Sequence, residues 1–302
     1  MLGSDPAPQT TADTSRVERL RPFVVRHWLF LTLFAAGLAF RVVTQIAYRP
    51  ALLYIDSYRY LENLSLEPAK SEAIGYSAVL RFLLWVFGNF ASIAAIQHII
   101  GLGMAVAIYA LLLRWGARPW LSALGAAPIL LSAYQLQIEH NLLSETWFEA
   151  LILAAVCLLM WNRRPGLVAV SVAGISLGLA VTIRIVGAPL IVPAVLYALW
   201  VMGKGRRRWL GAGLLVVAFA VPLVAYASYS LSQVGRFQLT TSDAGLLAGR
   251  AQTIVDCKTL ELPSDERQLC PKEPLGHRKG VDFYAHDERS EQRHLRVPKG
   301  ST

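Results

Sequence analysis

Residues 91–113 read ASIAAIQHIIGLGMAVAIYALLL, and residues 114–118 close the run with RWGAR. A helix over that run would rise about 34 Å at about 1.5 Å per residue, enough to cross a hydrocarbon core of about 30 Å. An apolar run that ends in paired arginines is how a membrane span ends on its basic side. The pattern recurs along the chain. Spans are expected near 28–47, 91–113, 120–138, 143–161, 167–183, 186–202 and 209–231, with Trp28 and Tyr48 as interfacial anchors of the first. Composition agrees: of 302 residues, 55% are hydrophobic and 16% charged, where soluble domains carry about 25% charged residues.

Fold class and sidedness follow from the turns. Basic residues fill every second connection: the N-terminal tail, 114–118, 163–164 and 204–208. The alternate turns are poor in them, with none in 139–142 and only Arg184 in 184–187. The basic side is expected to be cytoplasmic. The chain is therefore read as an all-α polytopic membrane bundle of about seven transmembrane helices. Residues 1–26 form a cytoplasmic tail, 27–232 the bundle, and 233–302 a small extracytoplasmic segment. Residues 75–88, GYSAVLRFLLWVFG, are too short to span and read as an outer juxtamembrane helix.

The net charge of +9 does not point to nucleic acid, because the excess sits in short turns rather than on a basic face with interleaved aromatics. A heptahelical receptor is excluded by the cytoplasmic N-terminus. Arg16, Arg19, Arg21 and Arg26 precede the first apolar run and no small-residue cleavage site follows it, so that run is expected to be a retained anchor. Cys157 lies in an apolar run. Cys257 and Cys270 lie in the polar C-terminal stretch, where an oxidising compartment permits a disulfide between them.

The chemistry-bearing residues gather on the outer side. The first outer loop carries Tyr54-Ile55-Asp56-Ser57-Tyr58-Arg59-Tyr60, and a helix after Asp56 sets Asp56, Arg59 and Tyr60 near one face. A carboxylate there can bind a divalent cation or act as general base; it can equally cap a short interfacial helix, and the tyrosines can be an aromatic belt. A second cluster, from Gln135 through Glu139, His140 and Ser144 to Glu145, crowds the turn between the third and fourth spans. It reads either as a solvated turn or as acids that join Asp56 in holding a metal or positioning an acceptor. Arg41, His98 and Arg184 lie in or at the ends of spans, where ionisable groups are costly and often functional. The arginines can instead snorkel to the interface, and Gln97-His98 can be interhelical glue. A lipid phosphate is expected among Arg59, Lys70, Arg81 and Arg184, with Tyr60, His98 and His140 beside it.

Taken in order, Arg41, the loop Ile55-Asp56-Ser57-Tyr58-Arg59-Tyr60, Gly75-Tyr76, Gln97-His98 and Leu143-Ser144-Glu145-Thr146 resemble the GT-C superfamily of polyprenyl-phosphate-dependent glycosyltransferases. The branch it looks like holds the protein O-mannosyltransferases and the aminoarabinose transferases of lipid A. The resemblance covers roughly residues 28–232. It implies transfer of a sugar from a polyprenyl-phosphate donor to a protein, lipid or cell-envelope glycan acceptor on the outer face of a plasma membrane. It implies Asp56 as catalytic base or part of a Mg or Mn site, Glu145 or Glu139 as the second acid, and Arg184 with other outer basic residues on the donor phosphate. Many relatives carry Asp-Glu where this chain has Asp56-Ser57. Relatives also continue into further spans, so the resemblance implies the N-terminal part of a longer enzyme. The composition has a bacterial style, in which the Asn63-Leu64-Ser65 sequon carries little weight. A transporter and a non-catalytic membrane scaffold are the competing readings. Against the transporter, the first cytoplasmic loop, Arg114-Trp115-Gly116-Ala117-Arg118, lacks the acid that a major-facilitator carrier shows there.

Overall fold

The computed structural model describes residues 11–68, 73–240, 243–263, 266–287 and 289–290. Among them the chain is helical without a strand, and an isolated parallel bridge joins Leu52 to Asn141. The helices are α1 (Thr11–Ala47), α2 (Ile55–Glu62), α3 (Gly75–Phe87), α4 (Phe90–Arg114), α5 (Pro119–Leu131), α6 (Ala133–His140), α7 (Glu145–Met160), α8 (Leu167–Ile183), α9 (Ile191–Val201), α10 (Arg206–Val234), α11 (Asp243–Ile254) and α12 (Val281–His286). Short 3-10 turns cover Ile185–Leu190 and Glu266–Leu269.

The seven expected spans are not seven long helices. Among the described residues, three helices can cross a bilayer by length and composition: Arg21–Ala47 within α1, α4 and α10. A fourth is available if α5 and α6, bent by 50° at their junction, form one broken span. The bend has a local cause. Ser132 ends α5 and starts α6, its Oγ accepting the Gln135 N–H at 3.3 Å, while Pro128 removes one donor from the last turn of α5. The expected sixth span opens as a 3-10 turn holding Pro189 and leaves α9 only 11 residues, about 16 Å of rise. The α7 and α8 helices have 16 and 17 residues, at or below the lower edge of what spans a bilayer.

Packing follows the small residues. In α8, Gly174 and Gly178 stand four apart on the face turned to α10, and a Cβ at either would collide with the backbone carbonyl of Leu215 or Phe219. This is how helices come close in lipid, where backbone approach rather than hydrophobic burial drives association. The ends of α7 and α9 and the starts of α8 and α10 share one core, including Leu159, Val170, Met202 and Leu215. A second core joins α1, α4 and α5 around Phe30 and Tyr109, whose rings stack at 3.8 Å. At the opposite end from the first core, α2, α3, α4, the start of α7 and the end of α8 converge on Tyr60, Tyr76, Leu142 and Ile183. That polar end holds the candidate site. The basic turns 114–118, 161–166 and 202–208 lie at the other end, where Arg114 bonds the side chain of Asn162.

In the C-terminal segment Cys257 and Cys270 form a disulfide. Arg278 closes α11, donating to the carbonyls of Gln252 and Val255.

Gly178→Leu is expected to destabilise the bundle by about 1–3 kcal/mol or more through overpacking against α10. Gly103→Ala, at a position facing open space, is expected to leave it unchanged or better. Thermal unfolding of the detergent-purified proteins checks both.

Candidate active site at the polar end of the bundle

Asp56 lies in the first turn of α2, not at its cap. Tyr54 is the N-cap residue, and its N–H donates to Ser57 Oγ at 2.9 Å. The capping alternative for Asp56 is thereby replaced by Ser57, which also explains why a serine follows the aspartate. The Asp56 side chain is 37% exposed and accepts from Arg59 Nη1 at 3.4 Å. Tyr60, one turn on, is buried. Its hydroxyl meets Ser144 Oγ at 2.9 Å, and its ring stands edge-on to Tyr76 at 4.8 Å. Ser77 donates to the Tyr60 carbonyl at 3.1 Å. These bonds fix α2 to the turn that opens α7.

That turn carries Glu145. Arg184, the residue that ends α8, donates from Nη1 to Glu145 Oε1 at 2.5 Å and to Ser144 Oγ at 3.1 Å. The pair is only partly covered, with the two side chains 33% and 25% exposed. Ser144 thus joins Tyr60 of α2 to Arg184 of α8.

Beneath lies a second, fully buried cluster. Arg41 of α1 and Glu139 of α6 are 2% and 0% exposed. All five guanidinium N–H donors find partners. Nε and Nη2 take the two Glu139 oxygens at 2.8 and 2.6 Å, and the rest take the carbonyls of Gly37, Ile129 and Leu130 at 2.9–3.2 Å. Ile129 and Leu130 are in the last turn of α5, whose carbonyls have no helical partner; Arg41 therefore caps α5 at the bend. Glu139 is equally saturated, also accepting from Gln135 at 3.3 Å and meeting His98 Nδ1 at 3.0 Å. Gly101 of α4 makes the room, since a Cβ there would run into the Glu139 carboxylate.

The histidines continue the line. His98 Nε2 meets His140 Nδ1 at 3.1 Å, and His140 Nε2 meets the Tyr48 carbonyl at 2.9 Å. The Glu139 carboxylate closes one end of this histidine line and the Tyr48 carbonyl the other. Gln97 Nε2 donates to the carbonyls of Glu139 and Asn141 at 2.9 and 2.7 Å, and Gln97 Oε1 accepts from the Tyr76 hydroxyl at 2.8 Å. The stretch before α2 is tied to the same turn: Leu52 N–H donates to the His140 carbonyl at 3.2 Å, and Leu142 N–H to the Leu52 carbonyl at 3.3 Å.

The sequence candidates thus divide. Asp56 with Arg59 and Glu145 with Arg184 form two partly exposed pairs, linked through buried Tyr60 and Ser144. Glu139, His98, His140 and Arg41 form a buried framework; Arg41 does not snorkel to an interface. Arg81 is exposed on α3, beside Phe82 and Trp85. Lys70 lies outside the described residues. Asn63 is buried and closes a turn with Glu67, accepting its N–H at 2.8 Å. Sequence reasoning missed Glu149, which accepts from Gln135 at 3.1 Å. An acid four residues after Glu145, in an otherwise apolar helix, was the signal. Among the described residues no three His, Cys, Asp or Glu side chains gather as a metal site.

No family model, curated protein or solved structure matches this chain.

Arg41→Met should cost about 3–5 kcal/mol, because it leaves Glu139 charged and unpaired in a buried setting. Arg41→Lys should cost nearly as much, since one ammonium cannot both grip the carboxylate in two places and cap α5. The checking measurement is thermal unfolding in detergent; full rescue by lysine would contradict this account.

Proposed function

We propose that this chain is a membrane glycosyltransferase of the GT-C kind that takes a sugar from a polyprenyl-phosphate donor. The acceptor is a hydroxyl of a protein, lipid or cell-envelope glycan. In this reading the chain crosses the bilayer seven times, with the short α7–α9 segments completing the crossings. Its N-terminus is cytoplasmic, and the polar end faces out of a bacterial plasma membrane. The observation that supports it best is the Tyr60–Ser144–Arg184 connection. It joins the helix of Asp56 to a partly exposed Glu145–Arg184 pair, at the end where a lipid headgroup would arrive.

The chemistry is a displacement. The acceptor oxygen attacks the anomeric carbon, its proton passes to Asp56, and the bond from that carbon to the phosphate oxygen breaks. The electron pair leaves with the lipid phosphate. Arg184 and Arg59 supply fixed positive charge for the departing phosphate, the kind of preorganised stabilisation that carries much of transfer catalysis. Glu145 orients Arg184. Glu139 moves from candidate acid to framework, because both of its oxygens are taken inside a buried cluster. A Mg or Mn ion finds a thin donor set here: Asp56 has Ser57 beside it in place of a second acid and Arg59 over one oxygen.

The test is transfer from a labelled polyprenyl-phosphate sugar in membranes containing the chain. Asp56→Asn at equal protein level should lower transfer by about 100-fold or more, the usual weight of a positioned general base. Equal transfer in both proteins would remove Asp56 from the chemistry.

A further inference from the structure

The opposite end of the bundle carries positive charge that the transferase reading does not use. The turns 114–118, 161–166 and 202–208 hold eight Lys and Arg residues and no acid. At the start of α10, Arg206, Arg207 and Arg208 follow one another, after a turn set by Gly203 and Gly205 in left-handed backbone. None of the three arginines is ion-paired among the described residues. Arg206 and Arg207 are exposed. The Arg208 guanidinium lies over the Trp209 ring at 4.9 Å, and its Nε is buried without a partner.

A shallow notch lies on the exposed face of α10 next to this cluster, bounded by Arg206, Trp209, Leu210, Gly213, Leu214 and Val217. Apart from Arg206 these residues are uncharged and mostly apolar, and Gly213 leaves the notch: a Cβ there would meet nothing within 4 Å. A cationic cluster joined to a notched apolar face at the end of a membrane-length helix matches an anionic headgroup carrying an acyl chain. Basic residues next to a span attract anionic lipid, and a tryptophan at headgroup depth marks the interface.

We propose that the start of α10 is a binding site for an anionic glycerophospholipid. The phosphodiester sits against Arg206 and Arg207, and one acyl chain lies over Gly213 between Trp209 and Val217. Charge selects the headgroup, and the missing side chain at Gly213 admits the chain.

The experiment uses the full chain, delipidated in detergent, with phosphatidylglycerol, phosphatidylcholine or soluble glycerol phosphate as probe. Bound lipid is counted by native mass spectrometry and by the rise in thermal midpoint. Phosphatidylglycerol is expected to bind at saturating stoichiometry and the other two not. Arg206→Gln with Arg207→Gln should weaken binding about tenfold or more. Gly213→Trp should do the same with no change of charge. Arg163→Gln with Arg164→Gln removes the same charge from another turn at this end and should leave affinity unchanged. Equal weakening by the 163/164 pair would reduce the effect to general surface attraction and overturn the site. Unaltered binding by Gly213→Trp, or equal binding of glycerol phosphate, would overturn the acyl-chain half. If a variant unfolds, its far-ultraviolet dichroism shows it, and Gly213→Leu replaces it at the same open position.

Discussion

The bidentate bond between Arg41 and Glu139 is the constraint on which the rest of the polar end depends. Removing an arginine and a glutamate from water is expensive, and their mutual attraction repays it only if every remaining donor and acceptor is satisfied. Here that condition is met on both sides. Arg41 spends its spare donors on α1 and on the last carbonyls of α5, and Glu139 accepts from Gln135 and faces His98. One ion pair thereby joins α1, α4, α5 and α6, and it stabilises the bend without which Glu139 would not turn inward.

From that fixed point the site is built by short links. Gln97 and His140 hold the backbone after α6, the Leu52–Asn141 bridge holds the loop before α2, and Tyr60 with Ser144 holds α2 itself. The outcome is a division between carboxylates. Glu139 is saturated and out of reach, whereas Asp56 and Glu145 keep part of their surface open. A buried charge set that is fully satisfied favours rigidity, and a rigid floor is what the proposed transfer reaction would need to hold two substrates in line.

Much of this was legible beforehand. The alternation of apolar runs with basic turns placed α1, α4, α5, α7, α8, α9 and α10, and the polar residues of 54–60 and 135–145 marked the end that holds the candidate site. What the pattern could not carry was helix continuity. Pro128 with Ser132, and Pro189, break runs that are largely apolar, and hydropathy is blind to a missing N–H. It also could not rank the acids. Glu139 and Glu145 sit six residues apart in one polar stretch, yet burial of one and exposure of the other depends on Arg41 and Gly101, which lie far away in sequence. Glu149 and the Gly174–Gly178 pair were visible signals that the span-level reading passed over.

The division between a sealed and an open set of carboxylates is the central claim, and carboxylate labelling tests it most directly. The intact protein would be treated in native membranes with a water-soluble carbodiimide and an amine nucleophile, and the sites read by mass spectrometry. The account predicts fast modification of Asp56, slower modification of Glu145 shielded by Arg184, and none of Glu139 until the protein is unfolded. Modification of Glu139 as fast as Asp56 would contradict it, because the pair with Arg41 would then not be buried and could not be the support on which the site is built.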